Sequence, residues 1–302
     1  MTTPPDLLDA LLEAHLDDRA RGALEKARSE VASGVSDTRF CMLFSMQSRS
    51  AGRGPLRPSD AEREAARSAL PGLEIELWTK LELARTRLIL ARPDLVEDSG
   101  AQAVHELFRY ADEGELCALY RTLQFLPAGE RFAWQAAEGC RTNMLDVFTA
   151  IACDTAYPRA HFDDVAWRQM VIKSLFVGAP TWRIVGLDER LDDELARMAL
   201  DLVEERRSAG RAVQPELWLC LGDHGGSRAI SALESELQHT ENTRGRSAAA
   251  YGLARAGADT RLAELAELEP TGPVADAMRD ALAGNRARTV FRALDPRLED
   301  ED

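Results

Sequence analysis

Long apolar runs are missing from this 302-residue chain. None approaches the roughly 20 residues a membrane-spanning helix needs, so no membrane insertion is expected. No convincing run of alternating β-branched residues appears either, which argues against a sheet. Positive charge is short: thirty-seven basic residues face fifty-one acidic ones, for a formal net charge of -14. A polyanion meets a repulsive average field, so nucleic acid is not an expected partner. The five cysteines (41, 117, 140, 153 and 220) show no CxxC or other metal-like spacing. They sit in apolar segments and read as buried free thiols of a reducing compartment. With an N-terminus lacking a basic n-region, the expected location is cytoplasmic.

The familiar signatures of catalysis are also wanting. The five histidines are scattered without HxxxH or HExxH spacing. His161 beside Asp163 and Asp164 suggests metal ligands on paper, but an aspartate capping the helix that follows is the plainer reading. The acidic pairs Asp17-Asp18, Asp163-Asp164 and Asp192-Asp193 do not complete the DDxxD pattern that holds magnesium on a diphosphate. Gly222–Gly226 follows a short helix and lacks a P-loop Lys-Ser/Thr, so it reads as a turn. There is no Gly-x-Ser-x-Gly, and no cysteine has an evident histidine partner. No catalytic residue, metal ligand or cofactor is expected.

What is present is helical periodicity punctuated by glycine and proline. Thr3-Pro-Pro-Asp6 starts a helix whose Leu7, Leu8, Leu11, Leu12 and Leu16 form one stripe. A helix over about 18–33 and a short one near 40–46 precede the Gly/Pro loop 49–58, after which Ser59-x-x-Glu62 forms a capping box. Helices are predicted near 60–69, 75–91, 99–111, 114–125, 129–153, 163–177, 190–209 and 215–220. Beyond Gly222 come two Ala-rich helical pairs, 227–240 with 244–256 and 260–268 with 274–283. Ala248-Ala-Ala250 with Gly252 permits close helix approach, and the pairing is HEAT-like. The expectation is an all-α fold, a right-handed stack of antiparallel helices without β-sheet. Residues 1–225 form its main domain, 226–296 HEAT-like pairs packed on it, and 297–302 a disordered acidic tail.

The most informative stretch runs from Glu138 to Pro180. It contains Glu138-Gly-Cys-Arg-Thr-Asn-Met144, Tyr157-Pro158, and then the segment opening at Trp167-Arg-Gln-Met-Val-Ile-Lys173. Helix 163–177 is apolar nearly all round, which places Trp167, Met170, Val171, Leu175 and Phe176 in the core of a central helix. Gln169 and Lys173 lie four apart on one face of it. Lys173 is one of three lysines, with Lys26 and Lys80, in a chain that otherwise uses arginine. A lysine inside an apolar helix needs partners, and Glu138, Arg141 and Asn143 are the candidates. Two readings stay open: a buried ion-pair and amide network fixing a helix crossing, or a small polar pocket for an anionic or polyhydroxylated metabolite.

The order of motifs resembles the EboA family of metabolite-traffic proteins. GELxALYxxLxxLP stands at 114–127, EGxRTNM at 138–144, Tyr157-Pro158 and Phe162-Asp163 next, and WxQMVxKxLFVGxP at 167–180. Gly186-Leu-Asp188, Leu195-Ala-Arg-Met198 and Pro215-Glu-Leu-Trp218 extend the likeness, which is dense over 74–225. Cys140 and Thr181-Trp-Arg183 depart from the pattern, and His161 stands where an aromatic is more usual. The resemblance implies a process, delivery of a secondary-metabolite precursor out of the cytoplasm, and as partners other proteins of the ebo cluster. It implies a non-catalytic adaptor or metabolite-binding protein using Glu138, Arg141, Asn143, Gln169 and Lys173. An enzyme acting on a cyclitol-like or prenylated compound and a HEAT-like interaction scaffold are the alternatives.

Overall fold

A computed structural model of the chain describes residues 3–239 and 241–301, with side chains through Leu298. Among the described residues there are sixteen α-helices and no strand beyond one isolated bridge between Pro55 and Thr79. The fold is all-α. Two compact units divide the chain, residues 1–167 and 168–302.

The first unit holds α1 (Pro4–His15), α2 (Asp18–Ala32), α3 (Asp37–Met46), α4 (Asp60–Ala69) and α5 (Lys80–Ile89). It continues with α6 (Asp98–Tyr110), α7 (Glu113–Thr122), α8 (Ala133–Gly139), α9 (Leu145–Ala152) and α10 (Tyr157–His161). Helix starts are written in capping boxes. Ser59 with Glu62 matches the sequence reading and Thr3 caps α1 as expected, while the boxes of Thr3 with Asp6, Thr79 with Glu82 and Asp112 with Glu115 were not anticipated. The Thr79 cap sets the start of α5 five residues later than expected. Eight of the ten α5 residues are buried, which makes α5 the centre of this unit. It packs against α1, α2 and α7, and α7 in turn packs against α9.

The helix expected over 129–153 is broken. A 3-10 turn at Gly129–Phe132 leads into α8, and Cys140 to Met144 make a turn before α9. There the Thr142 hydroxyl accepts the Met144 N–H at 3.1 Å, a local bond that competes with helix continuation. Gly139 is required at the end of α8, since a Cβ there would lie 2.2 Å from the Tyr120 hydroxyl.

Helix α11 (Asp164–Val177) contains the boundary between the units. Asp163 caps it, accepting the Ala166 N–H at 2.8 Å. Trp167, Met170, Val171 and Leu175 are buried as expected, but Phe176 is 61% exposed and Val165 is exposed too. The apolar letters all round this helix therefore overstate its burial; only one face is covered.

The second unit continues with α12 (Asp193–Ser208), α13 (Gly226–His239), α14 (Thr243–Arg255), α15 (Asp259–Leu268) and α16 (Pro273–Leu282). Residues 215–220, expected as α-helix, form a 3-10 helix. The four Ala-rich segments fall where periodicity placed them, except that Thr240 lies outside the described residues. α14 is buried from Ser247 to Ala254 and packs on α13, α15 and α16. The close approach read from Gly252 is present: a Cβ there would meet Leu233 Cδ2 at 2.5 Å. Of the acidic tail expected at 297–302, the side chains of 299–302 lie outside the described residues. Arg297 is bound into the unit by Asp295 and Glu216.

Candidate functional site

The sequence-predicted residues divide between the two units. Glu138, at the end of α8, is half-buried and pairs with Arg141 at 3.1 Å; the Arg141 side chain is 80% exposed. A pair that wet contributes little to stability. Asn143 is exposed on the turn before α9. On α11, Gln169 is exposed and Lys173 half-buried. None of the five is among the residues that line a cavity of about 600 Å³ in the first unit, which the starts of α5, α7 and α9 border.

Three residues of that cavity's lining, Glu82, Arg85 and Arg121, belong to two buried ion pairs that grow out of the helix caps. In α5, the Glu82 N–H donates to Thr79 Oγ1 at 3.1 Å, and the Thr79 N–H donates to Glu82 Oε2 at 2.6 Å. The other carboxylate oxygen of Glu82 accepts Arg121 Nε of α7 at 3.0 Å. In α7, the Glu115 N–H donates to Asp112 Oδ1 at 2.8 Å, and the Asp112 N–H returns to Glu115 Oε2 at 3.2 Å. Glu115 Oε1 then accepts Arg85 Nη2 of α5 at 3.2 Å. Each capping glutamate thus spends one oxygen on its own helix start and the other on an arginine of the opposite helix. Arg85 and Arg121 are 2% and 6% exposed, burial at which an unpaired charge would be untenable.

Aromatic faces outside the lining pack against both guanidiniums. The Arg85 guanidinium stands 5.0 Å from the Phe44 ring centroid and that of Arg121 5.7 Å from Trp78. Arg121 Nη2 also donates to the Leu77 carbonyl at 3.2 Å. The buried Thr86 and Thr122 hydroxyls bond at 2.9 Å, tying α5 to α7. Burial lowers the Arg85 pKa, an effect that Glu115 opposes. Arg85 Nε is buried without a hydrogen-bond partner among the described residues.

Toward solvent the lining changes character. Arg53, Asp112, Glu113 and Asp146 are exposed at the mouth, with Gly114 between the caps and the opening. Leu77, Leu81 and Cys117 supply apolar surface. Burial, with the Glu82 carboxylate adding to it, pushes the Cys117 thiol up to about 12. A thiol so raised is not a nucleophile at neutral pH.

Sequence reasoning passed over Glu82, Arg85, Glu115 and Arg121. Two signals point to them. One is the T-x-x-E and D-x-x-E spacing at the starts of α5 and α7. The other is charge inside apolar runs: Glu82 and Arg85 in LELARTRLI are as anomalous as Lys173, but arginine is common in this chain and drew no notice. Gly114 and Glu115 fall on the GELxALY motif.

A family model described as metabolite traffic protein EboA matches residues 5–222, which takes in every residue of this cavity. No curated protein and no solved structure matches the chain. The chain belongs to the EboA family.

Proposed function

We propose that this chain is a non-catalytic metabolite-binding protein that holds a small polar molecule in the α5–α7–α9 cavity during traffic of a secondary-metabolite precursor out of the cytoplasm. The observation that carries this reading is the preformed wall of paired buried charges around about 600 Å³ of space. That volume is in the range of small-molecule sites, and a few placed polar groups on a partly apolar lining are their usual make-up. Binding suits the wall better than catalysis does. Its inner carboxylates and guanidiniums are engaged with one another, and its thiol is held protonated. Arg141, Asn143 and Gln169, on the EGxRTNM and WxQMV motifs, face solvent. We assign them to contacts with partner proteins of the same pathway.

Gly114 allows a direct test. A Cβ added there meets only Asp112 Oδ1 at 3.7 Å and Arg85 Nη1 at 3.9 Å, ordinary contacts, so a larger side chain can enter the mouth without moving backbone. In a host deleted for the protein, wild type should restore the normal distribution of the precursor between cell and exterior, followed by mass spectrometry. Gly114→Phe, made to the same level and with the same circular dichroism, should leave the precursor inside. Full restoration by Gly114→Phe would remove the cavity from consideration.

A further inference from the structure

Resting on that cavity as the binding site, we infer that its ligand is an uncharged polyhydroxylated molecule and that the site rejects anions such as the phosphate ester of the same molecule. The inference comes from the arrangement of charge. Three guanidiniums (Arg53, Arg85, Arg121) and four carboxylates (Glu82, Asp112, Glu113, Asp146) line the space, so the lining as a whole is not cationic.

The two buried arginines offer an anion little net attraction, because each already has a carboxylate against it. Arg121 is held by Glu82 at 3.0 Å and Arg85 by Glu115 at 3.2 Å. An incoming phosphate or carboxylate would meet the capping glutamate together with its guanidinium, so attraction to one is offset by repulsion from the other, and drawing the guanidinium off its partner would strand a buried carboxylate. At the mouth it would pass Glu113 and Asp146, with Arg53 as the single opposing charge. A chain of net charge -14 adds a field of the same sign.

A hydroxyl meets the opposite situation, because it donates and accepts at once. Ligand hydroxyls can donate to carboxylate oxygens of the lining and accept from guanidinium N–H groups without separating either pair. Between the polar groups, Leu77, Leu81 and Cys117 offer surface for the C–H faces of a ring or chain. Charged groups set in pairs around a small apolar patch recognise a polyol by geometry, with no net charge to attract.

The experiment is ligand-observed saturation-transfer NMR on the full chain, with myo-inositol and sorbitol as neutral probes and myo-inositol 1-phosphate as the anionic one, each at millimolar concentration. The expected result is transfer to at least one neutral probe, loss of that transfer in Gly114→Phe, and binding of the phosphate ester roughly tenfold or more weaker. Glu113→Gln combined with Asp146→Asn should narrow that gap. If the ester binds as tightly as the neutral probes or tighter, the ligand class is wrong, while the cavity as a traffic site stands on the precursor-distribution assay. Transfer that persists in Gly114→Phe overturns the inference by placing the polyol elsewhere. Silence from all three probes overturns it as well, again leaving the distribution assay to decide the proposed function.

Discussion

Replacing Arg121 by methionine should cost about 3 kcal/mol, and most of that loss should return when Glu82 is also replaced by glutamine. The pair is separated by 3.0 Å, and the two side chains are 7% and 8% exposed. At an effective dielectric constant of about 20, opposite charges at that distance attract by about 5 kcal/mol. The lost attraction is not the whole effect, because Glu82 keeps the Thr79 N–H at 2.6 Å while the Leu77 carbonyl loses its Arg121 donor. The partly supported carboxylate places the single variant near the lower end of the cost for a broken buried pair, about 3–5 kcal/mol. Glutamine at 82 still accepts from Thr79 but carries no charge to strand, so the double variant should regain about 2 kcal/mol. Urea unfolding of the four proteins of the cycle, followed by circular dichroism and tryptophan fluorescence with coincident curves, measures the coupling. A cost below about 1 kcal/mol for Arg121→Met, or a coupling below about 0.5 kcal/mol, would refute the buried-pair reasoning.

Two further outcomes can be checked by the same unfolding measurement. On α11, Leu175→Ala should cost about 2–5 kcal/mol and Phe176→Ala less than about 1 kcal/mol, because Leu175 is 2% exposed and Phe176 61% exposed; equal losses would show that both faces are covered. Burial pushes Glu216 up to about 7, against the pull of Arg297 at 3.0 Å, since that guanidinium is also bound by Asp295 at 2.5 Å. A folded-state value above the unfolded one means that the native chain binds the extra proton. The stability it brings is complete below about pH 4.5 and is lost as pH rises through about 7, to a ceiling of about 3 kcal/mol. Glu216→Gln, which mimics the protonated acid, should flatten the pH dependence between 5 and 8, and an unchanged slope would show that Glu216 does not titrate there.

The sequence made the helices legible and the site largely illegible, for different reasons. Thr3 and Ser59 are local signals: each cap acts within one turn of its position. The break at 140–144 was hidden because Thr142 and Asn143 are tolerated in helices and gain from leaving them only through local side-chain bonds. Phe176 misled because apolar composition says what can be buried and not what is. The cavity wall depends on pairs 30 and 39 residues apart, Arg85 with Glu115 and Arg121 with Glu82. No periodicity within either helix encodes which partner the fold will bring up.

That wall also explains why such costly groups can be tolerated. A capping carboxylate on an exposed helix start, such as Asp6 of α1, can leave its second oxygen to water, whereas Glu62 at the start of α4 gives its second oxygen to His15 Nε2 at 2.8 Å. When the helix start is packed inside, as at Glu82 and Glu115, the second oxygen is stranded unless a cation arrives from a neighbour. Arg121 and Arg85 answer that demand reciprocally, so each helix caps itself and neutralises the other. The pairs contribute little net stability by this route, but they fix the side chains before any ligand enters. A site whose polar groups are already held loses little conformational entropy on binding and needs few new contacts for useful affinity. Charges already paired also give a ligand modest electrostatic attraction. For the proposed role, in which the protein takes up a molecule and gives it up again, preorganisation with weak net attraction is the combination that favours release.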